Sequence, residues 1–472
     1  MDVSIFIFIG FAIITLVIGF VVSKQGSKTN DEFYLANRSL KWYTIALSAG
    51  ATANSGFIMT TAVALGYLQG ISALLLPLAF LIGTLAFWQF FPTRVSNLSH
   101  EKKLKTISET LTHDFTKYKS AFALLTSLLI VIATGLYTAA QWRASAISLT
   151  GFIDIDLNYA IIGSGIFVAS YSMMGGFRSS VWTDVFQAII MFVLVIFFVF
   201  YCYNQFPNKE TVIQTLIQKD KGFLNLFNGY TFMSGLGFII GWACASMGFS
   251  ISQPQIIDRF YAAKNSKEAM KAKWLYIGFV QITWVGMTLV GVLLSGLITG
   301  LDFQTSEKAL SNIIAKDLHP ILKGLTLTAV FAAIASTADS LLISVSNSIT
   351  NDLIKPISKS TNISQTGNRI IILLTAILTI TLSLIFVNGS VFDLVMSSIL
   401  LLGSSIAPAM IIKLMQWKNS PLSLFLCVMT GLVTALLWKY QFNLSGYLNE
   451  TFPAIIVALT INLLTIKLAK SK

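Results

Sequence analysis

Apolar runs of about twenty residues recur from one end of this chain to the other, and each is long enough to cross the hydrocarbon core of a bilayer. Thirteen such segments can be marked, near residues 3–22, 43–69, 71–93, 120–149, 158–174, 180–203, 230–256, 274–300, 322–350, 369–387, 391–412, 420–438 and 446–466. In lipid every backbone N–H and C=O must be satisfied within the protein, so runs of this length fold as helices. Composition agrees. Of the 472 residues 55% are hydrophobic and 11% charged, whereas a soluble domain carries about 25% charged residues. The expected fold class is an all-α membrane protein of about 13 transmembrane helices in a single domain, 1–472. The first segment has no basic residue before it and no small-residue cleavage site, so it reads as a retained helix and not as a signal peptide.

The formal charge of +12 lies in short loops, where it reflects the bias of cytoplasmic loops toward Lys and Arg and not a nucleic-acid surface. With the N-terminus outside, 24 Lys and Arg fall on the inner side and seven on the outer, with Arg143 inside a span. That split predicts a multi-pass protein of the bacterial inner (plasma) membrane with a cytoplasmic C-terminus. In this count Arg259 belongs to an inner loop. The cysteines, Cys202, Cys244 and Cys427, show no metal spacing and read as small core residues. The three histidines lie in loops, which argues against a histidine-based metal or triad enzyme. There is no GxxxxGK[ST] sequence, so no built-in ATP motor is expected.

Ionisable residues within spans are few: Arg143 in the fourth, Asp184 near the start of the sixth, Asp339 in the middle of the ninth, and Asp393 at the mouth of the eleventh. Such groups usually face a cavity, pair, or bind an ion. Ala333, Ser336, Thr337, Ser340 and Ser344 share one helical face beside Asp339. Hydroxyls, carbonyls and a carboxylate suit a hard cation, although serine and threonine also glue membrane helices together. Residues 48–56, Ser-Ala-Gly-Ala-Thr-Ala-Asn-Ser-Gly, form helix poorly in the middle of an apolar segment. A break at that depth survives where it is buried or lines a cavity, and broken helices are how many secondary transporters present carbonyls to a cation. Close packing through small residues is the other reading.

Residues 175–187, Gly-Gly-Phe-Arg-Ser-Ser-Val-Trp-Thr-Asp-Val-Phe-Gln, resemble the signature of the sodium:solute symporter family, which includes sodium-coupled sugar, proline, pantothenate and sialic acid transporters. Residues 332–352 are similar to the family's ion-binding helix. Residues 253–267 (Gln-Pro-Gln-Ile-Ile-Asp-Arg onward) are similar to the segment after the seventh span in its proline-transporter branch, and residues 33–40 resemble the family's first inside loop. The resemblance implies a LeuT-type fold of five plus five inverted helices, about 43–203 and 230–412, with 3–22, 420–438 and 446–466 as accessory helices.

The resemblance also implies sodium as coupling ion. Its common site would take the carbonyls of Ala51, Asn54 and Ala333 and the hydroxyls of Ser336 and Thr337. A second site would take Asp184, Ser336, Asp339 and Ser340. Asp339 stands where some members have serine, and the extra carboxylate suits either a cation or a proton. Beside the broken helix, Ser55, Gly56, Tyr137, Gln141, Trp242, Ser246, Phe249 and Gln253 are the candidates for holding a compact solute. The proline branch has an aspartate where this chain has Ala53 and a pocket tryptophan where it has Ser246; Trp242, one turn earlier, is a candidate substitute. Arg143 could meet a substrate carboxylate or pair within the bundle.

The expected function is therefore symport of a small solute, an amino acid such as proline or a related carboxylate, without covalent chemistry. Expected partners are that solute and membrane lipid, with no nucleic acid and no obligatory protein partner. Proton-coupled transport on the same fold is an alternative. So is a membrane sensor, which would need a separate signalling partner because the chain ends at Lys472, just past its last span.

Overall fold

The computed structural model describes residues 3–24, 29–151, 155–306, 319–358, 363–386 and 390–470. Lys28, Lys308, Lys316, Lys359 and Lys472 of the charge count lie outside them. Among the described residues the regular structure is helical, apart from one isolated bridge between Leu40 and Ala263. The principal helices are α1 (Val3–Ser23), α2 (Asn30–Leu35), α3 (Trp42–Gln69), α4 (Leu75–Phe90), α5 (Pro92–Lys102), α6 (Ile107–Thr112), α7 (Lys119–Thr150), α8 (Leu157–Tyr203) and α9 (Lys209–Lys219). They continue with α10 (Phe232–Ser252), α11 (Pro254–Tyr261), α12 (Ser266–Lys271), α13 (Lys273–Leu297), α14 (Pro320–Ser348), α15 (Gln365–Ile385), α16 (Val391–Leu414), α17 (Pro421–Leu436) and α18 (Thr451–Lys470).

Ten stretches among the described residues are long and apolar enough to cross a membrane. Two of them are double. Trp42–Phe90 spans 49 residues and Leu157–Tyr203 spans 47. At about 1.5 Å per residue a helix of that length is roughly 70 Å long, more than twice the ~30 Å of hydrocarbon. The first divides at the tight turn Gly70–Leu74. The second divides at Gly176, whose φ of 57° only glycine adopts freely. With the shorter α18, these account for thirteen crossings.

Packing sorts the helices by exposure. On α1, Ile9, Ile13, Val17 and Phe20 are all exposed, a lipid-facing stripe at helical spacing. The apolar stretch of α14 is buried throughout, enclosed by α3, α7, α8 and α1. The most extensive helix pair is α3 with α13. It closes on glycine: a Cβ on Gly66 would stand 2.1 Å from the Thr288 carbonyl oxygen, and one on Gly291 would stand 2.0 Å from that of Val63. Lipid offers apolar helices no hydrophobic reason to associate, so this close approach is what holds the pair.

Two helices are interrupted, and they define the site. Helix α3 breaks at Ser55 (φ 39°, ψ 176°). The seventh span breaks at Gln253 (φ −83°, ψ 115°), where Pro254 opens the separate half-helix α11. The span therefore does not end near residue 256: it runs to Tyr261, and it carries Asp258 and Arg259 into the interior. The broken helices are the first of each five-helix set that the resemblance implies.

Candidate functional site

The break in α3 leaves the last carbonyls of its first half without helical partners. α14 runs beside them. Ser336 Oγ donates to the Ala51 carbonyl at 3.2 Å and the Ala333 carbonyl at 3.0 Å. Thr337 Oγ1 donates to the Thr52 carbonyl at 2.9 Å and the Ala333 carbonyl at 3.1 Å. Three carbonyls and two hydroxyls thus meet at one place, fully enclosed. The structure brings together Ala51, Ala333, Ser336 and Thr337 of the expected common site. Asn54 stands on the same break, but its side-chain Oδ1 accepts from Thr283 at 3.0 Å. Thr52 is the contributor that the sequence did not single out. The only sequence signal for it was its place after Ala51 in the poorly helical run; in the structure its hydroxyl also lies 3.0 Å from Ser340 Oγ on α14.

The four residues expected at a second site are arranged differently. Arg259, counted from the sequence as an inner-loop charge, is completely buried. It reaches the interior because α11 continues the interrupted span against α3 and α14. Its Nη2 donates to Asp184 Oδ2 at 2.9 Å, to Ser340 Oγ at 2.5 Å and to Thr52 Oγ1 at 3.3 Å. Its Nε donates to Ser48 Oγ at 3.1 Å, and the guanidinium stacks 4.9 Å from the Phe177 ring centre. Ser48 also donates to Asp184 Oδ2, at 2.6 Å. Asp339 is held from another side, by Ser172 Oγ at 2.5 Å. Ser336 turns to Ala51. The expected set of Asp184, Ser336, Asp339 and Ser340 is therefore split, with a guanidinium at the point where Asp184 and Ser340 meet. A buried charge needs a partner of opposite sign, and this arrangement gives Asp184 one.

The same half-helix closes one end of the bundle. Ser344 donates to Asp258 Oδ2 at 2.6 Å. The hydroxyls of Tyr261 and Thr110 lie 2.5 Å apart, and Arg38 Nη1 donates to the Tyr261 carbonyl at 2.9 Å. Leu40 N–H donates to the Ala262 carbonyl at 3.0 Å, and Lys264 N–H donates back to the Leu40 carbonyl at 2.9 Å. The segments flanking the two broken helices are thereby tied to each other. Burial raises the proton affinity of Glu109 in this closure, outweighing the Lys105 N–H directed at it.

A pocket lies on the other side of the breaks. Ala53, Ser55, Tyr137, Trp242, Ser246 and Phe249 line it, with Phe57, Phe80 and Trp284 closing around them. Phe80 packs edge-on against Trp284 at 4.7 Å between ring centres, and Trp242 lies 5.9 Å from Phe80. Its free volume is about 40 Å³, against roughly 150 Å³ for a cavity that holds benzene, so a solute must displace rings to enter. Gln141 and Gly56 sit just behind it: Gly56 N–H donates to Gln141 Oε1 at 2.9 Å, while Gln141 Nε2 has no hydrogen bond. A Cβ on Gly56 would stand 2.6 Å from that of Ala144, so the helix break touches α7 directly. Gln253 is buried at the α10–α11 break and donates to Ser398 at 3.3 Å. Ser246 donates to the Phe80 carbonyl at 2.8 Å. Arg143 is half-buried on α7 and does not line the pocket.

Residues 33–429 match the model of the sodium:solute symporter family. The chain belongs to the sodium:solute symporter family. Its members are transporters, not enzymes. Curated relatives include the high-affinity proline transporter PutP of Bacillus subtilis (strain 168), 25% identical over 459 residues, 94% of this chain and 93% of that one. The sodium/proline symporter of Staphylococcus aureus (strain Newman) is 25% identical over 481 residues, 97% and 91% of the two chains. Among solved structures, a Na+-coupled sialic acid symporter in a substrate-bound outward-open state superposes with a TM-score of 0.85 over 99% of this chain and 98% of that one, at 18% identity. The MhsT complex with L-phenylalanine gives 0.57 at 17% identity, over 89% and 98%. The symporter fold of this chain is thus the LeuT type.

Proposed function

We propose that this symporter couples sodium entry to uptake of a small organic solute, by alternating access, across a bacterial inner membrane. The observation that carries the reading is the meeting of the Ala51, Thr52 and Ala333 carbonyls with the Ser336 and Thr337 hydroxyls at the broken helix. These five oxygens suit a dehydrated hard cation. In its absence they satisfy one another, which costs the site little when empty. The broken helix links ion to solute: the carbonyls at 51–52 face α14, and Ser55, three residues on, lines the pocket. The N–H groups of Gly56 and Phe57 open the second half of α3 and are capped by Gln141 and by Ser55 Oγ. A solute carboxylate would replace those caps at the positive end of the half-helix, and the aromatic rings would enclose its apolar body. An amino acid such as proline, or a related small carboxylate, fits this chemistry. The relatives named for proline support it, while Ala53 and Ser246 make the pocket of this chain its own.

Inward opening requires α11 to move away from α3 and α14, breaking the contacts of Arg259 and Asp258. By the charge split that end faces the cytoplasm. Uptake of labelled amino acids and small carboxylates at pH 7, with sodium and with potassium outside, tests the reading: accumulation is expected in sodium alone. Equal uptake in potassium, driven by an inward proton gradient, would replace it with proton coupling.

The orientation has its own measurement. In a background with Cys202, Cys244 and Cys427 replaced by serine, Gln214→Cys is expected to react with an impermeant thiol reagent on intact cells. Lys102→Cys should react only after the membrane is opened. Both positions are exposed, so reversed labelling would invert the topology.

A further inference from the structure

Away from the transport path, two cavities adjoin at the end of the bundle where α7 and α17 begin. The two helices start there, at Lys119 and Pro421, and touch each other at few points. The gap between them is a groove of about 670 Å³. Lys117, Tyr118, Phe122 and Leu125 wall it on one side, Leu422 and Phe425 on the other. Past Lys117 and Tyr118 these walls are apolar, and at about 1.5 Å per residue they run roughly 10 Å along the helices.

The second cavity is a cleft of about 560 Å³ with the opposite chemistry, lined by Arg94, Glu101, Lys102, Asp114, Lys413 and Lys418. The segments 113–118 and 413–425 each line both cavities. Their shared wall is continuous: Lys413 Nζ lies 4.6 Å over the centre of the Phe115 ring, and Phe115 packs at 5.5 Å against Phe122 in the groove. The acids of the cleft are already taken, Asp114 by Lys413 and Glu101 by Lys102 at 2.7 Å. Arg94, Lys418 and, at the mouth of the groove, Lys117 form no ion pair among the described residues, and all three are exposed. No side chain caps the N-terminus of α7, so the positive end of its dipole adds to theirs. Tyr118 in the groove and Trp417 in the cleft are exposed, as aromatic residues are where hydrocarbon meets headgroups.

A cleft with spare positive charge, opening along a shared wall into an apolar groove, is complementary to an anionic amphiphile. We infer that one anionic phospholipid occupies the pair of cavities, its phosphate held by Lys117 and Lys418 and an acyl chain in the groove between α7 and α17. A zwitterionic lipid brings its own cation into a cleft already in positive excess, and a soluble anion leaves the groove unfilled. By the charge split the lipid belongs to the cytoplasmic leaflet, where anionic headgroups attract basic residues. It fills the gap between α7, in the transport core, and the accessory helix α17. The inference does not depend on the coupling ion or the solute.

Thermal unfolding of the detergent-purified full chain, titrated with phosphatidylglycerol or phosphatidylcholine of the same acyl chains, tests it, and native mass spectrometry counts the lipid retained. Phosphatidylglycerol is expected to raise the melting temperature saturably with one lipid bound; phosphatidylcholine is not. Lys117→Gln with Lys418→Gln should weaken phosphatidylglycerol about thirtyfold, at roughly fivefold for each cation near a membrane surface. Lys117→Arg with Lys418→Arg should bind as the wild type does. Ala121→Trp, which plugs the groove from an exposed position, should also weaken it, and glycerol 1-phosphate, the headgroup without chains, should give no shift. Equal stabilisation by both lipids, or a preference that survives in the double glutamine variant, would overturn the inference. Glycerol 1-phosphate acting as well as the lipid would make the cleft a site for a soluble anion. Wild-type binding by Ala121→Trp would remove the acyl chain from the groove.

Discussion

Arg259→Met is expected to destabilise the protein by about 3–5 kcal/mol, the usual cost of removing one partner of a buried ion pair. The guanidinium is wholly enclosed and reaches Asp184, Ser340, Thr52 and Ser48 together. Its removal leaves the Asp184 carboxylate buried with a hydroxyl from Ser48 and no countercharge. The double variant Arg259→Met with Asp184→Asn should recover most of the loss, because removing both partners is far less costly than stranding one. Thermal unfolding of the detergent-purified chain measures both. A single variant no less stable than the double would show that the pair is not formed. Transport separates from stability here: Asp184→Asn is expected to cripple sodium-coupled uptake even in the rescued protein. Asp339→Asn should be milder.

Ser336→Ala and Thr337→Ala should each weaken the apparent sodium affinity of uptake by roughly ten- to a hundredfold. Each removes one of two hydroxyls from a five-oxygen site. A lost hydrogen bond to a charged group is worth about 1.5–3 kcal/mol, and 1.4 kcal/mol is a factor of ten. Solute affinity at saturating sodium should return to that of the wild type, because neither hydroxyl lines the pocket. Sodium titration of uptake is the measurement. Unchanged sodium dependence in both variants would mean that the Ala51–Ser336 and Thr52–Thr337 contacts are helix glue and nothing more.

The sequence made the span pattern, the α3 break and the α14 hydroxyl face legible, because each has a local cause. Apolar length sets the spans. The run at 48–56 lacks helix formers, and hydroxyls at helical spacing mark a face. What it hid was long-range. Arg259 reads as a loop cation because five basic residues follow one another closely after the seventh span. Only the continuation of the span past the break at Gln253–Pro254 carries it inside, and that course depends on packing against α3, α8 and α14. The resemblance implies Asn54 and not Thr52 for the same reason, since the break is visible in the sequence but not which carbonyls turn toward α14.

The proposed sodium site is built wholly from neutral oxygens, the carbonyls of Ala51, Thr52 and Ala333 and the hydroxyls of Ser336 and Thr337. A sodium ion resting there would keep its entire charge, because no carboxylate in that shell cancels it. Such a carrier is an electrical device as well as a chemical one. An ion carried through the whole field of the membrane gains about 2.3 kcal/mol for each 100 mV. An inside-negative voltage would then pull the loaded conformation inward even where the sodium gradient is flat. With neutral ligands at this one place, the proposed sodium coupling would let the potential of the cell act on the loaded carrier.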